Sequence, residues 1–188
     1  LAEFVAKARK NPGTVDYAST GAGSASHLAG ELFNQRAGVE MVHVPYKGGA
    51  PAEQDLISGQ VDIFMSPLGT KHVELHKAGR IKVLALLNPT RIDTAKDFPA
   101  ISESKALKDF TFNIWTGYFV KRDTPEAVVA ALHKAIAGTL TDPTVRANLE
   151  AASLTAPPSL SIADAAKAYT DGIAQFRAIA KSINLQAQ

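Results

Sequence analysis

Short apolar runs alternate with helix-length segments through the first two-thirds of the chain, and this alternation restricts the fold more than any other feature. The runs cover 15–19, 41–44, 61–65 and 81–87. The segments between them, 24–37, 50–58 and 67–78, have helical length and stop at Gly38, Gly59 and Gly79, the usual residue just past a helix end. The pattern predicts repeated β-α-β. The runs at 61–65 and 81–87 are near-continuous Val, Ile, Leu, Phe and Met, without strict alternation. A parallel sheet covered on both faces requires such strands, so the expected fold class is an α/β sandwich.

After Leu87 the pattern breaks into Asn88-Pro89, Asp97-Phe98-Pro99 and a polar connector reaching Asp109. It resumes at 112–120 as an extended segment, with Phe112, Ile114, Thr116, Tyr118 and Val120 on one face and Asn113, Trp115, Gly117 and Phe119 on the other. Partial burial is expected on both faces. Helices follow. Thr124-Pro125 and Asp142-Pro143 each offer an N-cap and a proline at the first helical position. Ser161-Ile162-Ala163-Asp164 reads as a capping box with Asp in place of Glu, and Ile162, Ala166, Tyr169, Ile173, Phe176, Ala180 and Ile183 then form one apolar stripe. The stripe covers only about three heptads and contains alanines, so packing on its own domain is expected. The alternative use, a dimerising interaction module, predicts a concentration-dependent dimer.

The 188 residues carry 46% hydrophobic and 20% charged side chains with a net charge of +2, which is ordinary globular composition. Nowhere do four Lys or Arg follow one another, so no basic stripe for a phosphate backbone exists and nucleic acid is not an expected partner. The apolar run around 83–87 is far below the roughly 20 residues that span a bilayer. With no cysteine, thiol catalysis and thiolate metal sites are excluded. The chain opens at Leu1 inside a helical pattern with no secretory leader before it, from which a processed or truncated product is expected.

The stretch Val15-Asp16-Tyr17-Ala18-Ser19-Thr20-Gly21-Ala22-Gly23-Ser24-Ala25-Ser26-His27-Leu28 reads as strand, glycine-rich turn and helix. Such a turn brings backbone close to a ligand, and the helix start adds free N–H groups and partial positive charge that suit an anion. Ser19, Thr20, Ser24 and Ser26 supply hydroxyls. Two glycines at a strand–helix junction can also serve only to turn the chain. A dinucleotide fingerprint needs a third glycine where Ser26 stands and an acidic residue closing the next strand, whereas Glu40 precedes that strand. A P-loop fails as well, because Gly23 is followed by Ser24-Ala25. Ser24 and His27, neighbours on one helical turn, define the alternative reading of an α/β enzyme acting on a small carboxylate. It lacks a nucleophile elbow and a third member, and a serine at a helix start is usually a cap. His72 and His76 stand four apart without an evident third metal ligand, so a solvated helix face is expected.

A second strand-turn-helix, Val42-His43-Val44-Pro45-Tyr46-Lys47-Gly48-Gly49-Ala50-Pro51-Ala52, ends at the same carboxyl edge of the sheet, where ligands of open α/β sheets gather. Tyr46 and Lys47 either face that cleft or pack on a neighbouring loop. Ser66 sits at a third edge turn, before Pro67, as a cap, a ligand donor or both.

Taken together, N-P-G-T-V-D-Y-A-S-T-G-A-G-S-A-S-H-L-A-G-E-L-F, V-H-V-P-Y-K-G-G-A-P-A, L-I-S-G-Q-V-D-I-F and D-T-P-E-A-V-V-A-A-L-H-K-A-I resemble, in order and spacing, the substrate-binding proteins of tripartite tricarboxylate transporters, also called Bug receptors. The resemblance covers essentially the whole chain. It implies a periplasmic receptor without enzymatic activity or cofactor, of the type II periplasmic-binding-protein architecture, which closes around a small organic carboxylate and delivers it to integral-membrane permease subunits.

It further implies that the first-lobe units, with their Pro-x-x-x-Gly-Gly loop, have no counterpart here. Residues 1–112 would be one complete α/β lobe, 113–120 the hinge return, and the C-terminal helices through 188 part of a second, incomplete lobe. The complete receptor is expected to be a monomer. Carried onto this sequence, the carboxylate-holding turn is Ser19, Thr20, Gly21, Ala22, Gly23 and Ser24, with His27 at the start of its helix and backbone N–H groups 22–24 doing most of the holding. Tyr46 and Ser66 would shape the pocket. Where many members carry Asp or Asn, this chain has Ser66-Pro67, so its contact to the distal end of the ligand is expected to differ. No metal site is expected.

Overall fold

The computed structural model describes residues 1–105, 107, 110, 112–151, 159–183 and 185. The expected contributions of Ala106, Lys108, Asp109 and Thr111 to the connector lie outside these residues. The chain divides into two compact units, Leu1–Ile114 with Ala178–Gln188, and Trp115–Arg177. Among the described residues no helix is long and apolar enough to cross a membrane.

The first unit is built in the order α1 (Ala2–Lys10), β1 (Val15–Ser19), α2 (Ala25–Ala37), β2 (Met41–Pro45), α3 (Gly49–Ser58), β3 (Ile63–Phe64) and α4 (Thr70–Lys77). Its sheet is parallel with the order β2-β1-β3, and Tyr17 pairs with His43 and Ala18 with Phe64. Parallel strands must be joined by crossovers, and α2 and α3 provide them. The central strand carries the core: Val15, Tyr17, Ala18 and Ser19 are all buried. Ala18, Ala52 and Val61 form one cluster, joined by Val44, Tyr46, Leu56 and Phe64. On α2, Leu28, Ala29, Leu32, Phe33 and Ala37 are buried. The fully buried Tyr17 ring lies so close to that helix that a Cβ on Gly30 would come within 2.2 Å of it, which explains a glycine in mid-helix despite its conformational cost.

Two expected strands differ. The run at 61–65 contributes only Ile63–Phe64 to the sheet. The Val61 N–H reaches Asp55 O, and Asp62 clasps Asp16 from both sides, N–H to O at 3.0 Å and Oδ2 to N–H at 2.9 Å. The run at 81–87 forms no ladder. Leu86 makes an isolated bridge to Ala100, and Leu86, Ala95 and Phe98 build a separate apolar cluster with Leu68, Val73, Val83 and Ile92. A short apolar run satisfies burial equally well by packing under a loop, a choice periodicity does not make. The helix expected from 67 begins at Thr70 behind Gly69, so Ser66 does not cap it.

The second unit contains α5 (Glu126–Thr141), α6 (Pro143–Ala151) and most of α7 (Ile162–Ser182). Asp142 caps α6 through Oδ1, which accepts the N–H groups of Thr144 and Val145. Ser161 caps α7, its Oγ accepting the Asp164 N–H at 3.0 Å and donating to Asp164 Oδ2 at 2.7 Å. The cap of α5 is Pro125, not Thr124, because the first helical bonds end on Pro125 O, which receives the N–H groups of Val128 and Val129. Partial burial on both faces of 112–120 is met only in part, with Ile114 and Trp115 48% and 46% exposed. Phe112 is buried, whereas Asn113–Val120 is exposed, with Tyr118 85% exposed, because no strand partner lies beside it among the described residues. Along the α7 stripe, Ile162, Ala166 and Tyr169 are exposed, while Ile173, Phe176 and Ala180 are half-buried.

Candidate functional site

The carboxyl ends of β1, β2 and β3 lie along one sheet edge, and α2, α3 and α4 start from it. Ser19–Ser24, Tyr46–Gly49 and Ser66 occupy the three turns at this edge. Central among them is the turn after β1.

Gly21 (φ 134°) and Gly23 (φ 75°) hold backbone conformations that side chains disfavour, and a Cβ on Gly21 would touch Tyr46 O at 3.5 Å. Hydroxyls lock this loop. Ser24 Oγ donates to Gly21 O at 2.6 Å and accepts the His27 N–H at 3.3 Å, capping α2. Because the Ser24 proton is spent, Ser26 is the donor in the 3.0 Å contact between the two serine oxygens. Ser26 Oγ in turn accepts the Thr20 N–H at 2.9 Å. Ser19 Oγ accepts the Gly21 N–H at 3.1 Å. These hydroxyls, expected from sequence to serve a ligand, chiefly serve the turn.

The backbone donors also sort differently from the expectation that residues 22–24 hold the anion. The Gly23 N–H goes to His27 Nδ1 at 3.0 Å and the Ser24 N–H to Gly21 O at 3.2 Å. The N–H groups of Ala22, Ala25 and Ser26 bond to nothing among the described residues. Three unspent donors thus cluster at the positive end of α2.

Sequence reasoning missed the support beneath the turn. His27 stacks on His43 with centroids 3.8 Å apart and planes 7° from parallel, and His43 stacks on Tyr17 at 5.0 Å. His43 Nε2 lies 2.6 Å from Ser19 Oγ. Tyr17 donates to Glu31 Oε1 at 2.5 Å, and the same oxygen is 4.0 Å from His27 Nε2. Burial, to which a protonated His27 would add and which Glu31 opposes, holds the His43 imidazolium below its ordinary range. Burial and the bond to Glu31 push the Tyr17 hydroxyl up. The available signal was register: Tyr17 and His43 sit opposite each other on adjacent strands.

Tyr46 turns its side chain into the Ala18 cluster and donates to Asp55 Oδ2 at 2.7 Å, which raises its phenol above the ordinary range. It meets the turn through its backbone, its N–H bonding Ser19 O at 3.0 Å. Ser66 is half-buried, and its hydroxyl bonds to nothing among the described residues. The Ser24 hydroxyl and the His27 ring are not bonded to one another: the first caps and the second receives Gly23, so the pair is not arranged as nucleophile and base. His72 and His76 are half-buried, not a solvated face. His72 Nδ1 accepts the Gly69 N–H and its Nε2 meets Glu53, while His76 Nδ1 accepts the Val83 N–H. No group of three or more His, Cys, Asp or Glu side chains that could hold a metal ion exists among the described residues.

The sequence model of one family, the tripartite tricarboxylate transporter family receptor, matches residues 1–185. The chain belongs to this family. Its members are solute receptors, not enzymes. A relative encoded between tcbD and tcbE in Pseudomonas sp. strain P51 is 36% identical over 141 residues, 73% of this chain and 42% of the relative. The chain therefore spans about two-fifths of that relative's length. Among solved structures, a protein of R. palustris determined with adipate superposes with a TM-score of 0.85 at 27% identity, covering 98% of this chain and 60% of that one. MatC from Rhodopseudomonas palustris with bound malate gives 0.82 at 29% identity, covering 95% and 61%. The mixed α/β fold is thus that of the family's periplasmic binding proteins.

Proposed function

We propose that this chain supplies the carboxylate-holding lobe of a periplasmic solute receptor, which captures a small organic acid and presents it to the membrane permease of a tripartite transporter. The carrying observation is the set of unspent N–H groups of Ala22, Ala25 and Ser26 around a turn whose other donors and hydroxyls are internally satisfied. A carboxylate there receives hydrogen bonds and the α2 dipole without a buried cation, and it leaves when the lobes part. Two receptors of similar fold were solved with dicarboxylates, which supports that class of ligand.

In this reading residues 1–112 form the complete lobe, and 113–188 form a hinge return and helices that pack on the opposite lobe. Ser66, with its uncommitted hydroxyl, faces the distal end of the ligand, Tyr46 shapes the wall through its backbone, and the complete receptor is a monomer. Titration calorimetry of the product of the complete gene with malate and adipate tests the proposal. One-to-one binding of a dicarboxylate is expected. Absence of heat with mono-, di- and tricarboxylates alike would overturn it.

A further inference from the structure

The turn is shaped by a ring nitrogen whose protonation state matters. His27 Nδ1 accepts the Gly23 N–H at 3.0 Å, so this nitrogen carries a lone pair and the neutral ring holds its proton on Nε2. Glu31 Oε1, 4.0 Å from Nε2, favours that tautomer. An imidazolium would carry a hydrogen on Nδ1 as well, and two donors would then face each other across the turn. Beneath His27, the parallel ring of His43 at 3.8 Å penalises a second positive charge. The groups facing the pair are Glu31 from α2, Tyr17 and Ser19 from β1, and the Gly23 N–H from the turn. Only Glu31 is anionic, and it already accepts the Tyr17 hydroxyl.

We propose that His27 and His43 are positioning residues: a stacked, uncharged imidazole pair that holds the anion turn in its receptive shape, His27 through Gly23 and His43 through Ser19, so that protonating the pair weakens ligand binding. Burial, which holds the His43 imidazolium below its ordinary range, agrees with a ring built to stay neutral. This rests on the receptor reading for its ligand but not for its geometry. Neither imidazole need touch the carboxylate. When His27 gains its second proton, the Gly23 N–H loses its acceptor and the glycine backbone is free to rotate, moving the adjoining Ala22 N–H out of line.

Two variants separate positioning from bulk. His27→Asn places an uncharged amide oxygen near the position of Nδ1, whereas His27→Gln carries it about one bond further, toward Nε2. In the product of the complete gene, affinity for malate between pH 8 and pH 5 should fall more steeply for the native protein than for His27→Asn. The ligand's own titration is common to both, so the difference belongs to the ring. At pH 8, His27→Asn, which loses the stack on His43 but keeps an acceptor near the Nδ1 position, should bind about tenfold more tightly than His27→Gln, as for one hydrogen bond kept.

Nitrogen NMR of the native 188-residue chain supplies a readout independent of ligand and of variant folding. His27 should be the Nε2–H tautomer at pH 8, and protection of the Gly23 amide should be lost as that ring titrates. An Nδ1–H tautomer, or pH profiles identical in native and His27→Asn proteins, would overturn the proposal. Absence of carboxylate binding at every pH, with the tautomer and the Gly23 protection as described, would instead overturn the receptor reading and leave the imidazole pair as the support of the turn.

Discussion

Replacing Ala25 with proline separates a ligand-facing donor from everything that holds the turn together. Ala25 is the first residue of α2, and its N–H bonds to nothing among the described residues. Ser24 before it is extended, with φ −70° and ψ 165°, the conformation a following proline demands. Proline is also favoured at the first helical position. The native backbone accepts the ring, and loss of unfolded-state freedom should stabilise the protein by about 0.4–1 kcal/mol. A hydrogen bond to a charged partner contributes about 1.5–3 kcal/mol, so the dissociation constant for the carboxylate should rise roughly 10- to 150-fold. Ser24→Pro is a poorer probe, because it also removes the Ser24 N–H bond to Gly21 O and the Oγ cap on His27. Calorimetry gives the affinity and a thermal melt gives the stability. A variant that melts at or above the native temperature yet binds with native affinity would refute the assignment of this N–H to the ligand.

Gly30→Ala should destabilise the first unit by about 1–3 kcal/mol, since overpacking against the buried Tyr17 ring, 2.2 Å from the new Cβ, outweighs the gain in helix propensity; chemical denaturation checks this. Glu103, bound twice by Arg91 and by the Ala100 N–H, is held near a pKa of about 2 against an ordinary 4.5. Its folded pKa is depressed, so its contribution is present above about 4.5 and is lost as pH falls toward 2. Glu103→Gln should therefore lower the melting temperature at pH 7 and flatten the acid dependence in that window. Tyr17→Phe leaves Glu31 without its 2.5 Å hydrogen bond and should lower stability by about 1–3 kcal/mol, again by denaturation.

The β-α alternation was legible because each unit carries its own punctuation: Ser24 caps α2, and α2 and α3 end at Gly38 and Gly59 in left-handed backbone. The run at 81–87 was not legible as a loop, because burial by Phe98 and its neighbours leaves the same apolar signature as burial in a sheet. At the site, glycines and hydroxyls marked the turn correctly. Their division of labour was hidden, because whether the Gly23 N–H is spent on His27 Nδ1 depends on a ring orientation set by stacking across two strands. Tyr46 was ambiguous for a similar reason. Its choice of Asp55 over the cleft is a contact nine positions along the chain, decided by how β2 meets α3.

The most direct test of a carboxylate held by backbone donors is a crystal structure of the complete gene product grown with malate. A carboxylate oxygen pair within about 2.7–3.1 Å of the Ala22, Ala25 and Ser26 nitrogens is the predicted result. A carboxylate bound elsewhere, or neutralised by a lysine or arginine side chain while those three N–H groups face solvent, would contradict it.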